Sequence, residues 1–211
     1  MFLQFFKSAF FVLSIFGSSI YTAYNLCKIK KIHFVNPELI KNKSKFGEYM
    51  ITIGNTIFPV FTTTTLMNVY FVGRFDTNPH SFLQTLLNCA AYSIIAEMSY
   101  YVYHRAIHHK YVYKQIHSKH HENVVVYPLD SLYFTSIDII CYVSCLHSPL
   151  LFIKMDWFEY FIAVYFYVTM GFLSHSSICY NHHVLHHKLF KCNYCLVFPF
   201  FDIAFQTLRM K

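Results

Sequence analysis

Residues 91–121 read AYSIIAEMSYYVYHRAIHHKYVYKQIHSKHH, an apolar run that leads directly into six histidines within eighteen residues. Side chains three and four residues apart share one face of a helix, so His104 and His108 can point to one position. The same spacing occurs in residues 117–121 (His-Ser-Lys-His-His) and in residues 182–187 (His-His-Val-Leu-His-His). The chain therefore carries three histidine groups, each able to direct two or three imidazoles at one point.

These histidine groups predict a metal site. Neutral imidazole suits iron, zinc and copper, and three groups that meet above a helical bundle supply enough nitrogen atoms for two metal ions. The predicted ligands from the three groups are His104, His108, His117, His120, His121, His183, His186 and His187, with His109 and His182 as additional candidates. The isolated residues His33, His80 and His147 are interpreted as structural or solvated.

Glu97 lies in the apolar run, seven residues before His104 and so two turns away on the same helix face. A carboxylate inside an apolar segment is costly and often functional. Two interpretations remain open. Glu97 could accept a hydrogen bond from the second ring nitrogen of a ligand histidine, or it could lie at a membrane interface and pair with a lysine.

The composition indicates a protein surrounded by lipid. Hydrophobic residues make up 55% and charged residues 13% of the chain, whereas soluble domains contain about 25% charged residues, and the mean hydropathy is +0.36. A spanning helix needs roughly 20 apolar residues, and five stretches approach that length: about 8–26, 50–73, 81–103, 132–153 and 157–179. We therefore predict an all-α, polytopic membrane bundle of about five membrane-embedded helices, with a cytoplasmic, histidine-rich di-metal cap.

The first stretch could instead be a signal peptide. Lys7 is its only early charge and residues 19–23 form a poor cleavage site, which favours a membrane anchor. The chain has seven cysteines, an odd number, and several of them lie in apolar stretches, which argues against a disulfide framework. The pair in Cys192-Asn-Tyr-Cys195 is interpreted as packing residues. We expect one structural unit, with residues 1–90 as anchor helices and a basic cytoplasmic loop and residues 91–211 as the catalytic region.

Basic residues set the expected orientation of the bundle. Residues 27–49 hold six lysines, residues 104–131 hold four basic residues, and four more follow Cys179, namely Lys188, Lys191, Arg209 and Lys211. Fourteen of the seventeen Lys and Arg residues thus lie on one side. An excess of Lys and Arg marks the cytoplasmic side, so the histidine groups are expected to face the cytoplasm. The net charge of +7 is interpreted as topology and not as nucleic-acid binding.

The chain from about Ala91 to Arg209 resembles the fatty acid hydroxylase / sterol desaturase superfamily, whose pattern is HxxxH(H), HxxHH and HxxHH. Residues 104–122 are similar to the 4-methylsterol monooxygenase branch, and residues 182–209 to cholesterol 25-hydroxylase-like members. His175-Ser176 resembles the family's His-Ser-Gly element, which implies that His175 is a further ligand. The chain departs from the family at Ser177, where Gly is usual, and at residues 127–130, where Tyr-Pro-Leu-Asp replaces a His-Pro-Leu-Glu-like element.

The resemblance implies an oxidoreductase: a membrane-bound, non-haem di-iron oxygenase that hydroxylates or oxidises a lipid, in particular a sterol, with dioxygen. It further implies a cytochrome b5-type electron donor, an NAD(P)H-dependent reductase and an endoplasmic reticulum location. Zinc could replace iron in recombinant protein. No catalytic side chain is expected beyond the metal ligands.

Two alternatives remain open. One is a fatty acid or sphingolipid hydroxylase or desaturase of the same superfamily. The other is a histidine-rich membrane protein that binds or transports metal. Transporters place ionisable residues near the bilayer midplane, whereas these histidine groups lie beyond the ends of the apolar stretches, which disfavours transport.

Overall fold

The computed structural model describes residues 2–179 and 181–210, so Lys211 of the predicted basic tail lies outside the described residues. The fold is mostly helical. The helices are α1 (Phe2–Ile29), α2 (Pro37–Lys41), α3 (Lys43–Tyr70), α4 (Phe82–Ile107), α5 (Tyr113–Ile116), α6 (Ser136–His147), α7 (Trp157–Ser174), α8 (His182–Leu189) and α9 (Phe200–Ala204). Two short parallel strands, β1 (Phe75–Asp76) and β2 (Met155–Asp156), pair with each other.

Polar side chains cap the long helices at their starts. The Asn42 side chain accepts a hydrogen bond from the Lys45 backbone at the start of α3, and the Ser81 side chain does the same for Gln84 at the start of α4. Asp156 and Glu159 form a reciprocal capping box at the start of α7. These contacts satisfy backbone N–H groups that a helix leaves free at its start.

The five long helices form one bundle. α1 packs against α7 and α3, α3 packs against α6, and α4 packs against α6 and α7. One apolar cluster brings together Cys27 from α1, Tyr49 from α3, Tyr133 before α6 and Leu173 from α7. Hence α1 and α7 terminate, and α3 and α6 begin, at one end of the bundle, which we call the histidine end. Helix α4 also terminates there, since Tyr103 near its end donates a hydrogen bond to Asp138 in the first turn of α6. The opposite end, which carries β1 and β2, we call the His80 end.

The five apolar stretches coincide with α1, α3, α4, α6 and α7, which confirms that they are helices. Five membrane spans are not confirmed. Among the described residues, only Phe2–Ile29 is long and apolar enough to cross a bilayer, and Ser136–Leu151 is a shorter apolar helix. The helix in the fourth stretch is shorter than expected because α6 begins only after Thr135, whose side chain caps it, and Ser148–Leu151, with Pro149, tightens into a 3₁₀ turn.

Candidate metal centre

Nine histidines converge at the histidine end in two neighbouring clusters. The first cluster contains His104, His108, His117, His121 and His186, and the second contains His120, His175, His183 and His187. Within each cluster, one ring nitrogen from every residue lies within 4.8 Å of the others. All but His108, which is half-buried, are buried. These are the nine predicted ligands, including His175, which only the family resemblance indicated.

Four segments supply the nine side chains. His104 lies in the last turn of α4 and His108 directly follows that helix. Residues 117–121 follow α5, His175 directly follows α7, and α8 carries the last three. The two clusters are adjacent: the ring centroids of His117 and His120 are 5.2 Å apart, and those of His121 and His187 are 4.4 Å apart.

The spacing within each motif divides its histidines between the clusters. His117 and His121, four residues apart, belong to the first cluster, while His120 belongs to the second. In α8, His183 and His187 belong to the second cluster and His186 to the first. Successive helical residues differ in direction by about 100°, so adjacent histidines diverge. Each group thus directs two imidazoles at one cluster, as expected, and each HxxHH motif in addition places a third imidazole in the other cluster, which the spacing did not predict.

Hydrogen bonds fix the protonation of three imidazoles in the first cluster. His104 Nδ1 lies 2.8 Å from the Tyr194 carbonyl oxygen and His186 Nδ1 lies 2.6 Å from that of Cys192. His117 Nδ1 lies 2.6 Å from Asp138 Oδ2. Carbonyl and carboxylate oxygens accept, so these Nδ1 atoms carry the proton and each Nε2 is left with a lone pair.

The Nε2 atoms of this cluster face one another. His104 Nε2 and His117 Nε2 are 3.1 Å apart, and His121 Nε2 lies 3.1 Å from His117 Nε2 and also from His186 Nε2. Lone pairs at that distance repel unless a positive charge lies between them. Metal-bound histidines typically donate their other N–H to a carbonyl or carboxylate, as here. The first cluster therefore fits a metal ion.

The second cluster has a similar arrangement. His175 Nδ1 donates to the Gly171 carbonyl oxygen at 2.9 Å, and its Nε2 lies 3.3 Å from His120 Nε2. His187 Nε2 lies 3.2 Å from the same His120 atom. The two ring nitrogens of buried His183 have no hydrogen-bond partner among the described residues. Buried polar atoms without partners are costly, so this cluster also fits a metal ion.

The environment favours the neutral form of most of these imidazoles. Burial, reinforced by neighbouring histidines, lowers the pKa of His104, His120, His183 and His186 well below the usual value. Burial, together with His117, lowers the pKa of half-buried His108 to about 3. A neutral imidazole is the form that binds a metal ion, so no proton has to be displaced near neutral pH.

Asp138 supports the first cluster and was not predicted from the sequence. It is buried near the start of α6, where Oδ2 contacts His117 and Oδ1 accepts a 2.7 Å hydrogen bond from the Tyr103 hydroxyl. The available signal was a carboxylate inside the fourth apolar stretch, the same signal that singled out Glu97. Asp138 thereby holds the His117 ring with Nδ1 toward its carboxylate and Nε2 toward the other histidines of the first cluster.

Both interpretations of Glu97 are wrong. Glu97 is fully buried, and its carboxylate accepts three 2.9 Å hydrogen bonds from the backbone N–H groups of Leu196, Val197 and Phe198. Two turns correspond to about 10 Å along the helix, which places Glu97 beside this loop and not beside a ligand ring. It thereby anchors the segment whose Tyr194 and Cys192 carbonyls accept hydrogen bonds from His104 and His186 of the first cluster.

The remaining candidates lie outside the clusters. His109 is exposed and contacts Tyr111, with ring centroids 5.1 Å apart. His182 is buried next to His183, but the structure places it in neither cluster. Cys195 is buried and packs with Tyr101 and Tyr194, in agreement with the packing interpretation.

A helical bundle whose end holds two clusters of neutral, oriented imidazoles defines a class of histidine-rich metal proteins. Within that class, the family model for fatty acid hydroxylases matches residues 89–207, more than half of the chain. The chain therefore belongs to the fatty acid hydroxylase family. This family is membrane-associated, and the match confirms the superfamily that the motif resemblance indicated.

Similar proteins include plant enzymes of the same superfamily. Protein CER1-like 1 of Arabidopsis thaliana is 25% identical over 165 residues, 67% of this chain and 26% of that protein. Very-long-chain aldehyde decarbonylase CER1 of Arabidopsis thaliana is 29% identical over 135 residues, 53% of this chain and 22% of that protein. Very-long-chain aldehyde decarbonylase GL1-5 of Oryza sativa subsp. indica is 27% identical over 135 residues, with the same coverage.

The matched regions thus span about a quarter of the length of these curated relatives. No solved structure shows significant similarity to this chain.

Proposed function

We propose that this chain is a membrane-embedded, metal-dependent oxygenase that oxidises a long-chain lipid at the histidine end. The observation that carries the proposal is the pair of clusters, whose neutral imidazoles turn unprotonated nitrogens toward one another. The nine histidines would hold two iron ions, one in each cluster. Iron bound there would supply oxidation of an unactivated C–H bond with dioxygen and external electrons, chemistry that no side chain provides.

The chain's own residues would prepare the site. Asp138 and the carbonyls of Cys192 and Tyr194 hold the rings of the first cluster in one tautomer. Phe134 stacks on His120 with ring centroids 4.1 Å apart, which covers the second cluster on that side. Burial of the clusters excludes bulk water, which strengthens electrostatic interactions within them.

Exposed apolar side chains support the membrane setting. α1 exposes Phe2, Phe6 and Phe10 by 64–79%, and α4 exposes Phe82 and Leu83 by 66–80%. A soluble surface rarely carries apolar patches of this extent, whereas a lipid environment accommodates them. We propose that the bundle lies in the endoplasmic reticulum membrane with the histidine end toward the cytoplasm, because most Lys and Arg residues lie at that end.

The substrate is proposed to be a long-chain, acyl-derived lipid. Relatives named as very-long-chain aldehyde decarbonylases favour an extended chain over the sterol expected from the motif resemblance. A sterol keeps only the support of the motif similarity in residues 104–122 and 182–209.

Electrons are proposed to come from a cytochrome b5-type protein and an NAD(P)H-dependent reductase. Exposed basic residues near the histidine end could attract an acidic carrier; they are Arg105, Lys110, Lys114, Lys188 and Lys191.

The experiment is lipid mass spectrometry of cells that express the chain under ¹⁸O-labelled dioxygen. The wild type should produce a lipid that carries the label or has lost hydrogen, and His117→Ala should not. His80→Ala, the same change at the opposite end of the bundle, should retain the product. Identical lipid profiles for the wild type and His117→Ala, with metal bound and a reductase present, would contradict the proposal and favour a metal-binding or transport role.

A further inference from the structure

The bundle contains a small, mostly apolar cavity next to the metal centre. Its volume is about 60 Å³, on a scale where a single water needs roughly 10–15 Å³. Helices α1, α3, α6 and α7 line it. One wall is a single face of α6, with residues at helical spacing: Ile139, Tyr142, Val143, Leu146 and His147. Ile139 and His147 are eight residues apart, so this wall is about 12 Å long. The cavity therefore runs for about 12 Å along α6, a mostly apolar channel that suits part of a single alkyl chain.

One end of this channel adjoins the metal centre. Tyr142 stacks on Phe134 with centroids 6.2 Å apart, and Phe134 stacks directly on His120. Gly171 also lines the cavity, and its carbonyl oxygen accepts the Nδ1–H of His175. A chain in the cavity would thus end next to the second cluster.

The other end of the α6 wall is His147, a polar side chain in an otherwise largely apolar lining. It is 2% exposed, and its Nδ1 donates to the Val143 carbonyl oxygen at 2.8 Å. Its Nε2 has no hydrogen-bond partner among the described residues. With the proton on Nδ1, a neutral imidazole presents Nε2 as an acceptor. A buried acceptor without a donor is costly. An occupant of the cavity with an O–H or N–H group would supply the donor that His147 Nε2 lacks.

We propose that the cavity binds a long-chain alcohol, with the hydroxyl donating to His147 Nε2 and the alkyl chain extending toward the metal centre. An aldehyde, ether or ester oxygen only accepts hydrogen bonds, so it cannot satisfy this nitrogen. The apolar lining selects an alkyl chain, and the acceptor selects its hydroxyl end. Only the identification of this alcohol as the substrate rests on the proposed function; its binding does not.

The test uses photocrosslinking to the full chain in lipid nanodiscs. Two probes carry a diazirine in a sixteen-carbon chain: one ends in a primary alcohol, the other in its methyl ether, which cannot donate. Mass spectrometry locates the labelled peptides. The alcohol should label the α6 wall about two- to twelvefold more than the ether, the range expected for one net hydrogen bond.

Variants of His147 provide the matched comparison. His147→Phe should bring the labelling ratio close to one, while His147→Gln should keep a preference for the alcohol because its amide oxygen accepts. His33→Phe makes the same exchange at an exposed histidine and should keep the wild-type ratio. If His147→Phe does not fold, the comparison of the alcohol and ether probes in the wild type and in His147→Gln still tests the proposal.

Equal labelling by both probes in the wild type would overturn the inference and would mean that a water alone satisfies His147. A preference that persists in a folded His147→Phe would also overturn it. The two proposals fail separately, because labelling requires no turnover. Selective labelling without lipid oxidation would contradict only the proposed function, and lipid oxidation with equal labelling would contradict only the alcohol site.

Discussion

The two ends of the bundle use histidine in opposite ways. At the histidine end, nine imidazoles face one another, and burial lowers the pKa of most of them. At the His80 end, His80 Nδ1 lies 2.9 Å from Glu159 Oε1 and its Nε2 lies 3.2 Å from Asp76 Oδ2. The hydrogen bond with Glu159 raises the pKa of His80. Neutral imidazoles leave room for a cation, whereas the carboxylates around His80 raise its pKa and so favour a positive charge on the imidazole itself.

This difference explains why only one end is proposed as a metal centre. His80, Asp156 and Glu159 also have ligand atoms within 4.8 Å of one another. Their hydrogen bonds are already satisfied within the protein, since Asp156 accepts from the His80 backbone at 2.9 Å and forms the capping box with Glu159. These contacts therefore hold the segment after β1 against the start of α7. This structural role agrees with the interpretation of His80 from the sequence.

The largest expected effect is on activity. His121→Ala in the first cluster and His187→Ala in the second should each reduce lipid oxidation at least about 100-fold, since each removes a proposed metal ligand. His80→Ala should stay close to the wild-type rate. Product formation per folded protein is the measurement. Activity that survives the loss of either imidazole would remove the functional distinction between the two ends.

The next effect concerns carboxylates that contact histidine. Asp138→Asn should weaken metal affinity about 10- to 100-fold, because the amide is a weaker partner for His117 Nδ1 than the carboxylate. Asp156→Asn is the matched exchange at the His80 end and should leave metal affinity unchanged. Competition with a chelator measures both. Equal affinities for the two variants would mean that Asp138 does not orient a ligand.

A smaller effect is expected from the buried carboxylate that supports the histidine end indirectly. Glu97→Gln should destabilise the protein by about 1–3 kcal/mol, because an amide satisfies the three backbone N–H groups of residues 196–198 less well. Glu38→Gln removes an exposed ion pair with Lys41 and should change stability by less than about 1 kcal/mol. Thermal unfolding compares them, and equal shifts would contradict the anchoring role of Glu97.

The smallest effect is a pH dependence at the His80 end. Because its folded-state pKa is raised, the stability that His80 contributes is complete below the unfolded value of about 6.5 and is lost as pH rises through the higher folded value. The wild type should exceed His80→Asn in stability by up to about 1 kcal/mol at acidic pH and by less at alkaline pH. Unfolding midpoints across this range test it. A gap that widens with rising pH would be the wrong sign.

Local patterns in the sequence were sufficient to predict the five long helices and the three histidine motifs that the fold brings together. Hydropathy located α1, α3, α4, α6 and α7, and spacing located the three motifs. The division of each HxxHH motif between two clusters could not be predicted, because the direction of each ring depends on where the second cluster lies. The partners of Glu97 and Asp138 lie 99 and 21 residues away in sequence, so only the packed fold identifies them.

The central claim is that the nine histidines form two metal sites, and metal analysis of the purified chain tests it most directly. The wild type should contain about two metal ions per chain, of iron or of zinc after recombinant expression. His186→Ala in the first cluster and His183→Ala in the second should each retain about one ion, and His80→Ala should retain about two. The claim would be contradicted if the folded wild type bound no metal when supplied with iron or zinc. It would also be contradicted if the metal content were unchanged in both His186→Ala and His183→Ala.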